Sequence, residues 1–136
     1  TKALHDFKKS MDNNVLIDGV EKKLIIEYLY EVQEYVTFTV AVKSGKFSGE
    51  TSFCISKENT LLNIEKLLEI QKFLKGTCEI KDFDSDSVIN IRMRELGHMD
   101  IYGQIGGSHQ EQSMKFKIST DQTVLSGLIK VLSSFL

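Results

Sequence analysis

Proline and tryptophan are both absent from this 136-residue chain. With no Pro, no turn is fixed by a locked φ, so chain reversals fall to Gly, Asn, Asp and Ser. Cysteine is scarce. Cys54 and Cys78 are far apart, so they offer at most one disulfide and no CxxC spacing for zinc or a redox pair. A buried free thiol is the expected state of each, because unpaired Cys behaves as a small hydrophobe. The missing Cys framework fits a reducing compartment, and a cytoplasmic location is expected. No apolar run approaches the roughly 20 residues that span a bilayer, so no membrane association is expected. Lys2, His5, Asp6, Lys8 and Lys9 interrupt any leader-like stretch at the start. Excess positive charge is lacking too: the formal charge is −2. Nucleic-acid binding draws on dense positive charge, so nucleic acid is not an expected partner.

Signatures of catalysis are equally missing. The histidines His5, His98 and His109 form no i, i+2 or i, i+4 pair. There is no HExxH, no GxSxG and no EF-hand loop. Asp82, Asp84 and Asp86 alternate, but Ser87-Val88 follow where further ligands would be needed, so a solvated turn is expected. The stretch Gly103-Gln104-Ile105-Gly106-Gly107 lacks both GxGxxG spacing and a GK[ST] ending. It also joins two strands, so no helix N-terminus awaits a phosphate. Glu95, His98 and Asp100 can be assembled on paper as an acid–base set, but their spacing across a Gly turn is that of an ordinary polar face. The expectation is a non-enzyme with no cofactor and no metal site.

What is present is patterning. Leu4, Phe7 and Met11 have helical spacing in a stretch too short to be stable alone. Asn13-Asn14 and Asp18-Gly19 read as turns, which makes residues 1–19 a peripheral segment of one domain spanning 1–136. Leu24, Ile26, Tyr28 and Tyr30 then share one face of a strand opposite Lys23, Glu27 and Glu31. Val36, Phe38, Val40 and Val42 alternate in the next strand, and Ser44-Gly45 turns into a third with Phe47, Thr51, Phe53 and Ile55. The period then changes. Leu61, Ile64, Leu67, Leu68 and Leu74 mark a helix widened by Leu62, Ile70 and Phe73, with an Asn59-Thr60 N-cap and Gly76 at its C′ position. Shorter strands follow around Cys78–Ile80, Ile89–Met93, Met99–Ile105 and Met114–Ile118. A second helix opens on Ser119-Thr120-Asp121-Gln122, read as a capping box, and carries Val124, Leu128, Val131, Leu132 and Phe135. No internal repeat is visible. The fold class is α+β: an antiparallel sheet of about seven strands in the order β-β-β-α-β-β-β-β-α, with two amphipathic helices on one face.

The uncovered sheet face would meet water or a partner. Arg92, Arg94, Lys115 and Lys117 fall there as a small basic patch, with cross-strand pairing to Asp100, Glu79 or Glu111 as its simplest explanation. His98, Tyr102 and Gln104 share that face. Tyr and Arg are over-represented at interface hot spots, so Arg92, Arg94, His98, Asp100, Tyr102 and Gln104 form the candidate partner-binding face.

Several stretches together carry a family resemblance. These are Gly45-Lys46-Phe47-Ser48-Gly49-Glu50, the Leu-rich helix ending Phe73-Leu74-Lys75-Gly76, the Gly97–Gly107 hairpin, and Phe116-Lys117-Ile118-Ser119-Thr120-Asp121-Gln122-Thr123. From about Leu24 onward the chain resembles the WapI-like family of small bacterial domains, whose members are described as immunity proteins of polymorphic toxin systems or are uncharacterised. It departs from them in having no Trp near the second strand. The resemblance implies a cytoplasmic protein that binds and blocks a toxin domain; it transfers no functional residue. Acidic Glu21, Glu27, Glu31, Glu34 and Glu50 would complement a basic partner. The alternatives are a self-associating structural or regulatory domain, for instance a homodimer, and a small enzyme or ligand-binding domain with a site built from distant residues.

Overall fold

The computed structural model describes residues 15–107 and 112–136. The helical spacing of Leu4, Phe7 and Met11, the Asn13-Asn14 turn, His5, His109 and Glu111 lie outside the described residues. Among the described residues, eight strands form two antiparallel sheets of four, each in sequential order. The first sheet comprises β1 (Val15–Asp18), β2 (Lys22–Val32), β3 (Tyr35–Ser44) and β4 (Phe47–Ser56), and α1 (Lys57–Phe73) follows it. The second comprises β5 (Gly76–Lys81), β6 (Val88–Met93), β7 (His98–Gly106) and β8 (Ser113–Asp121), closed by α2 (Thr123–Ser133). The class is the expected α+β one, with its strands divided between two sheets.

The added strand is β1. Its Leu16 and Ile17 are half-buried, and it pairs with β2 through Val15, Ile17 and Asp18, so the expected turn begins only at Gly19. A strand of four residues gives too short an alternation to stand out from its polar neighbours.

The two halves repeat one plan, four strands in a meander and then a helix. Helix α1 packs on β5, and α2 packs on β1; β3 meets β8, and β7 meets β4. Exchanging the halves exchanges these contacts, which describes an approximate twofold relation. The repeat escapes the sequence because corresponding strands differ in length and share pattern rather than residues.

One core lies inside both sheets. Alternation buries Leu24, Ile26 and Tyr28 on β2, Val36, Phe38, Val40 and Val42 on β3, and Phe53 and Ile55 on β4. The second half adds Cys78, Ile80, Ile89, Ile91, Met93, Met99, Ile101, Ile105, Phe116 and Ile118. Helix α2 contributes Val124, Leu125, Leu128, Val131 and Leu132, and the Phe135 ring beyond it packs tilted against that of Phe38 with centroids 5.2 Å apart. Helix α1 departs from expectation. It buries only Thr60, Ile64, Leu67 and Ile70, whereas Leu61, Leu62, Leu68, Phe73 and Leu74 stay about half exposed. The buried stripe follows the i, i+3, i+4 face that meets α2 and β5, and the flanking leucines fall outside that arc.

Three local readings are corrected by hydrogen bonding. Helix α1 begins three residues earlier than an Asn59 cap would set, because Ser56 Oγ accepts from Asn59 N at 3.1 Å and serves as N-cap. Its C-terminal left-handed position is held by Leu74 (φ 54°), and Gly76 opens β5. At α2 the Ser119/Gln122 capping box does not form. Ser119 stays in β8, and Asp121 Oδ1 instead accepts from both the backbone N–H and the hydroxyl of Thr123.

Each outermost strand facing the other half is clipped by it. Cys54 N on β4 donates to Asp82 Oδ1 at 2.8 Å, and Phe83 N donates to Cys54 O at 3.0 Å. On β8, Ser44 Oγ donates to Lys117 O and Lys22 Nζ donates to Ser119 O, both at 2.9 Å. Among the described residues no buried side-chain polar atom lacks a hydrogen-bond partner.

Candidate functional site on the second sheet

Strand β7 turns Met99, Ile101 and Ile105 into the core, so His98, Asp100, Tyr102 and Gln104 point outward. Register sets Asp100 opposite Arg92 on β6 and Ser119 on β8, and Tyr102 opposite Asn90 and Lys117. Gln104 lies opposite Lys115. All six residues expected on this face therefore share it, with Arg94 reaching in from just beyond β6.

Asp100 is the centre of the arrangement. It is only 1% exposed although it lies on the outward face, because the side chains around it fold over it. Its Oδ2 accepts from Arg92 Nη2 at 3.1 Å and forms ion pairs with Arg94 Nε at 2.9 Å and Lys117 Nζ at 4.0 Å. Its Oδ1 accepts from Ser119 Oγ at 3.0 Å. Burial alone would raise its pKa. The hydrogen bonds from Arg92 and Ser119 and the charges of Arg94 and Lys117 outweigh that and hold the carboxyl below the ordinary carboxylate value. Arg92 also lies over the Tyr102 ring, 5.3 Å from its centroid. The cluster thus joins three strands through charge-assisted bonds, which are stronger than neutral ones.

The cross-strand explanation of the basic residues is the one observed, and it leaves the face basic. Arg92, Arg94 and Lys117 surround the single buried carboxylate of Asp100, and Lys115 lies along the same face opposite Gln104. A shallow depression of about 430 Å³ runs between Arg92, Tyr102, Gln104, Lys115 and Lys117. His98 is exposed at one end, opposite Asp121. Glu95 is exposed in a short 3-10 turn (Glu95–Gly97), so the acid–base set of Glu95, His98 and Asp100 gives way to Asp100 paired with arginines.

Two residues escaped the sequence reading. Ser119 looked like a helix cap and is instead a ligand of Asp100. Leu96 sits beside the basic face at φ 56° and is 94% exposed. Left-handed backbone costs an L-residue roughly 1–2 kcal/mol, and solvent gives an apolar side chain nothing in return. An exposed Leu beside Gly97 was the signal available.

Elsewhere, Asp82 is buried and accepts from Cys54 N, Asp84 N and Ser85 Oγ. The turn expected to be solvated is therefore anchored through its first Asp, and Asp84 and Asp86 remain exposed. Among the described residues no group of three His, Cys, Asp or Glu side chains is placed to hold a metal. No helix in them is long and apolar enough to cross a membrane. Both cysteines are free thiols, but only Cys78 is buried as expected of each, with Cys54 half-buried; burial pushes Cys78 up to about 11. A depression of about 720 Å³ lies where β4 meets β7 and β8 and is lined by Phe47, Glu50, Ile105, Met114 and Lys115.

No family model, curated protein or solved structure matches this chain.

Proposed function

We propose that the chain is a non-enzymatic protein-binding domain that works by presenting the outer face of its second sheet. The observation that carries this reading is the Asp100 cluster. Four cross-linked side chains, three on neighbouring strands and Arg94 just beyond β6, form a stiff, basic platform whose ordering is complete before any partner arrives, and pre-organisation of that kind lowers the cost of association. Tyr102 and Leu96 supply apolar contact at the centre and margin. Such a face fits an acidic protein surface. The WapI-like resemblance supplies the biological class: an immunity-type protein that neutralises a toxin domain made by the same cell, in the cytoplasm.

Leu96→Asn separates a binding face from a merely structural one. Asn tolerates the left-handed region better than Leu, so a structural role alone predicts a more stable protein and nothing else. The immunity reading predicts a toxin domain encoded beside the gene, against which this more stable variant, and Arg92→Glu, protect cells less well. Binding of that domain, measured by calorimetry, weakens in parallel. Full protection and unchanged affinity in both variants would reject this face.

A further inference from the structure

We propose that the outer face of the first sheet, at the end where β2 turns into β3, is a second protein-docking surface whose occupant is a basic segment of another protein. This surface is independent of the face on the second sheet and has the opposite charge.

A β-bulge creates it. The β2–β3 register shifts between Tyr28 and Tyr30, so Tyr28 faces the core while Tyr30 is turned outward opposite Thr37. The simple alternation that would have buried Tyr30 with Leu24, Ile26 and Tyr28 is broken there, and Tyr30 is 54% exposed. Two residues on, Val32 pairs with Tyr35 on the same outer face and is 61% exposed. From the other half of the molecule the Asp82 loop brings Phe83 onto this group. Its ring lies 5.6 Å from that of Tyr35, and Phe83 is still 72% exposed.

Holding Phe83 in water has no folding rationale of its own, and the loop that holds it is tightly made. Asp82 accepts from Cys54 N, Asp84 N and Ser85 Oγ; Ser85 Oγ accepts from Ser87 N; and Ser87 Oγ accepts from Gly106 N at 2.9 Å. The aromatic group is therefore presented in one geometry. A depression of about 310 Å³ beside it runs between Tyr30, Thr37, Cys54, Asp82 and Asp84.

Charge chooses the occupant. Glu34 at the β2–β3 turn and Asp84 and Asp86 on the loop are exposed around the aromatics, and Glu27 lies further along the same face opposite Thr39. The nearby cation Lys57 is bound to Glu31 at 2.6 Å. Exposed aromatic rings rimmed by carboxylates suit Arg or Lys side chains, which stack on the rings and pair with the acids.

The test pans a random-peptide display library against the immobilised full chain and measures synthetic versions of the enriched peptides. Peptides carrying Arg or Lys next to an apolar residue are expected. Their affinity should fall about tenfold or more in Phe83→Ser and Tyr35→Ser, a hot-spot-sized loss, and fall with added salt in the wild type. It should be unchanged in Leu96→Asn, which alters the other side of the molecule and leaves the Asp100 cluster intact. Phe83 is exposed, so its variant should keep the wild-type circular dichroism and Tm. Enrichment of acidic or neutral peptides, no enrichment, or affinity indifferent to Phe83 and Tyr35 would overturn the proposal. So would concentration-dependent self-association in sedimentation that Phe83→Ser abolishes, because the occupant would then be a second copy.

Discussion

At the residue scale, Asp100 and the two thiols carry measurable consequences. Asp100 binds its proton more weakly in the folded chain than in the unfolded one, because Arg92, Ser119, Arg94 and Lys117 favour the carboxylate. Its contribution to stability is complete above the unfolded carboxyl value of about 3.9 and disappears as pH falls through the lower folded value. Urea melts should therefore show stability declining below about pH 4, and Asp100→Asn should flatten that decline. At neutral pH the Asn variant should lose about 1–3 kcal/mol, the scale of hydrogen bonds to a charged group, since both arginines stay partly solvated. Cys78 is buried, and its raised pKa keeps it a thiol. In native protein at pH 8, Ellman's reagent should reach Cys54 slowly and Cys78 only on unfolding; fast modification of both would contradict the packing.

At the scale of single elements, β7 depends on one glycine. A Cβ on Gly103 would stand 2.0 Å from Val88 O on β6, a backbone atom that cannot yield without breaking the ladder. On Gly49 of β4 the nearest atom would be Ile105 Cδ1 at 2.8 Å, the tip of a side chain that can rotate. Gly103→Ala should therefore cost about 3 kcal/mol or more and Gly49→Ala about 1 kcal/mol, compared by chemical denaturation. The strands were legible in the sequence wherever alternation ran long, as in Val36–Val42 and Ile89–Met93. The outward set of Arg92, Asp100, Tyr102 and Gln104 was legible for the same reason, since period two dictates it. Tyr30 was not, because a bulge inverts the alternation without a marker residue. The exposed leucines of α1 were not legible either, because an apolar stripe in sequence does not say how wide an arc its neighbours will cover. Nor was Ser119, whose hydroxyl could serve a helix end or a cross-strand carboxylate with equal sense from sequence alone.

The whole molecule is two like halves sharing one core, and neither sheet's inner face is complete without the other half. Unfolding should therefore be a single transition. Loss of far-UV ellipticity and release of the Cys78 thiol should coincide along a urea gradient, and a separate early step would mean that the halves melt independently. Refolding should also lack any phase of tens of seconds, since no Pro is present to isomerise. The clips between the halves bear on a different property. By occupying Cys54 N and Cys54 O, the Asp82 loop withholds the edge of β4 from strand addition by another chain. A carboxylate that positions a loop within one molecule thus also keeps separate molecules apart, and its loss would appear as turbidity during expression or storage as well as in the thermal melt.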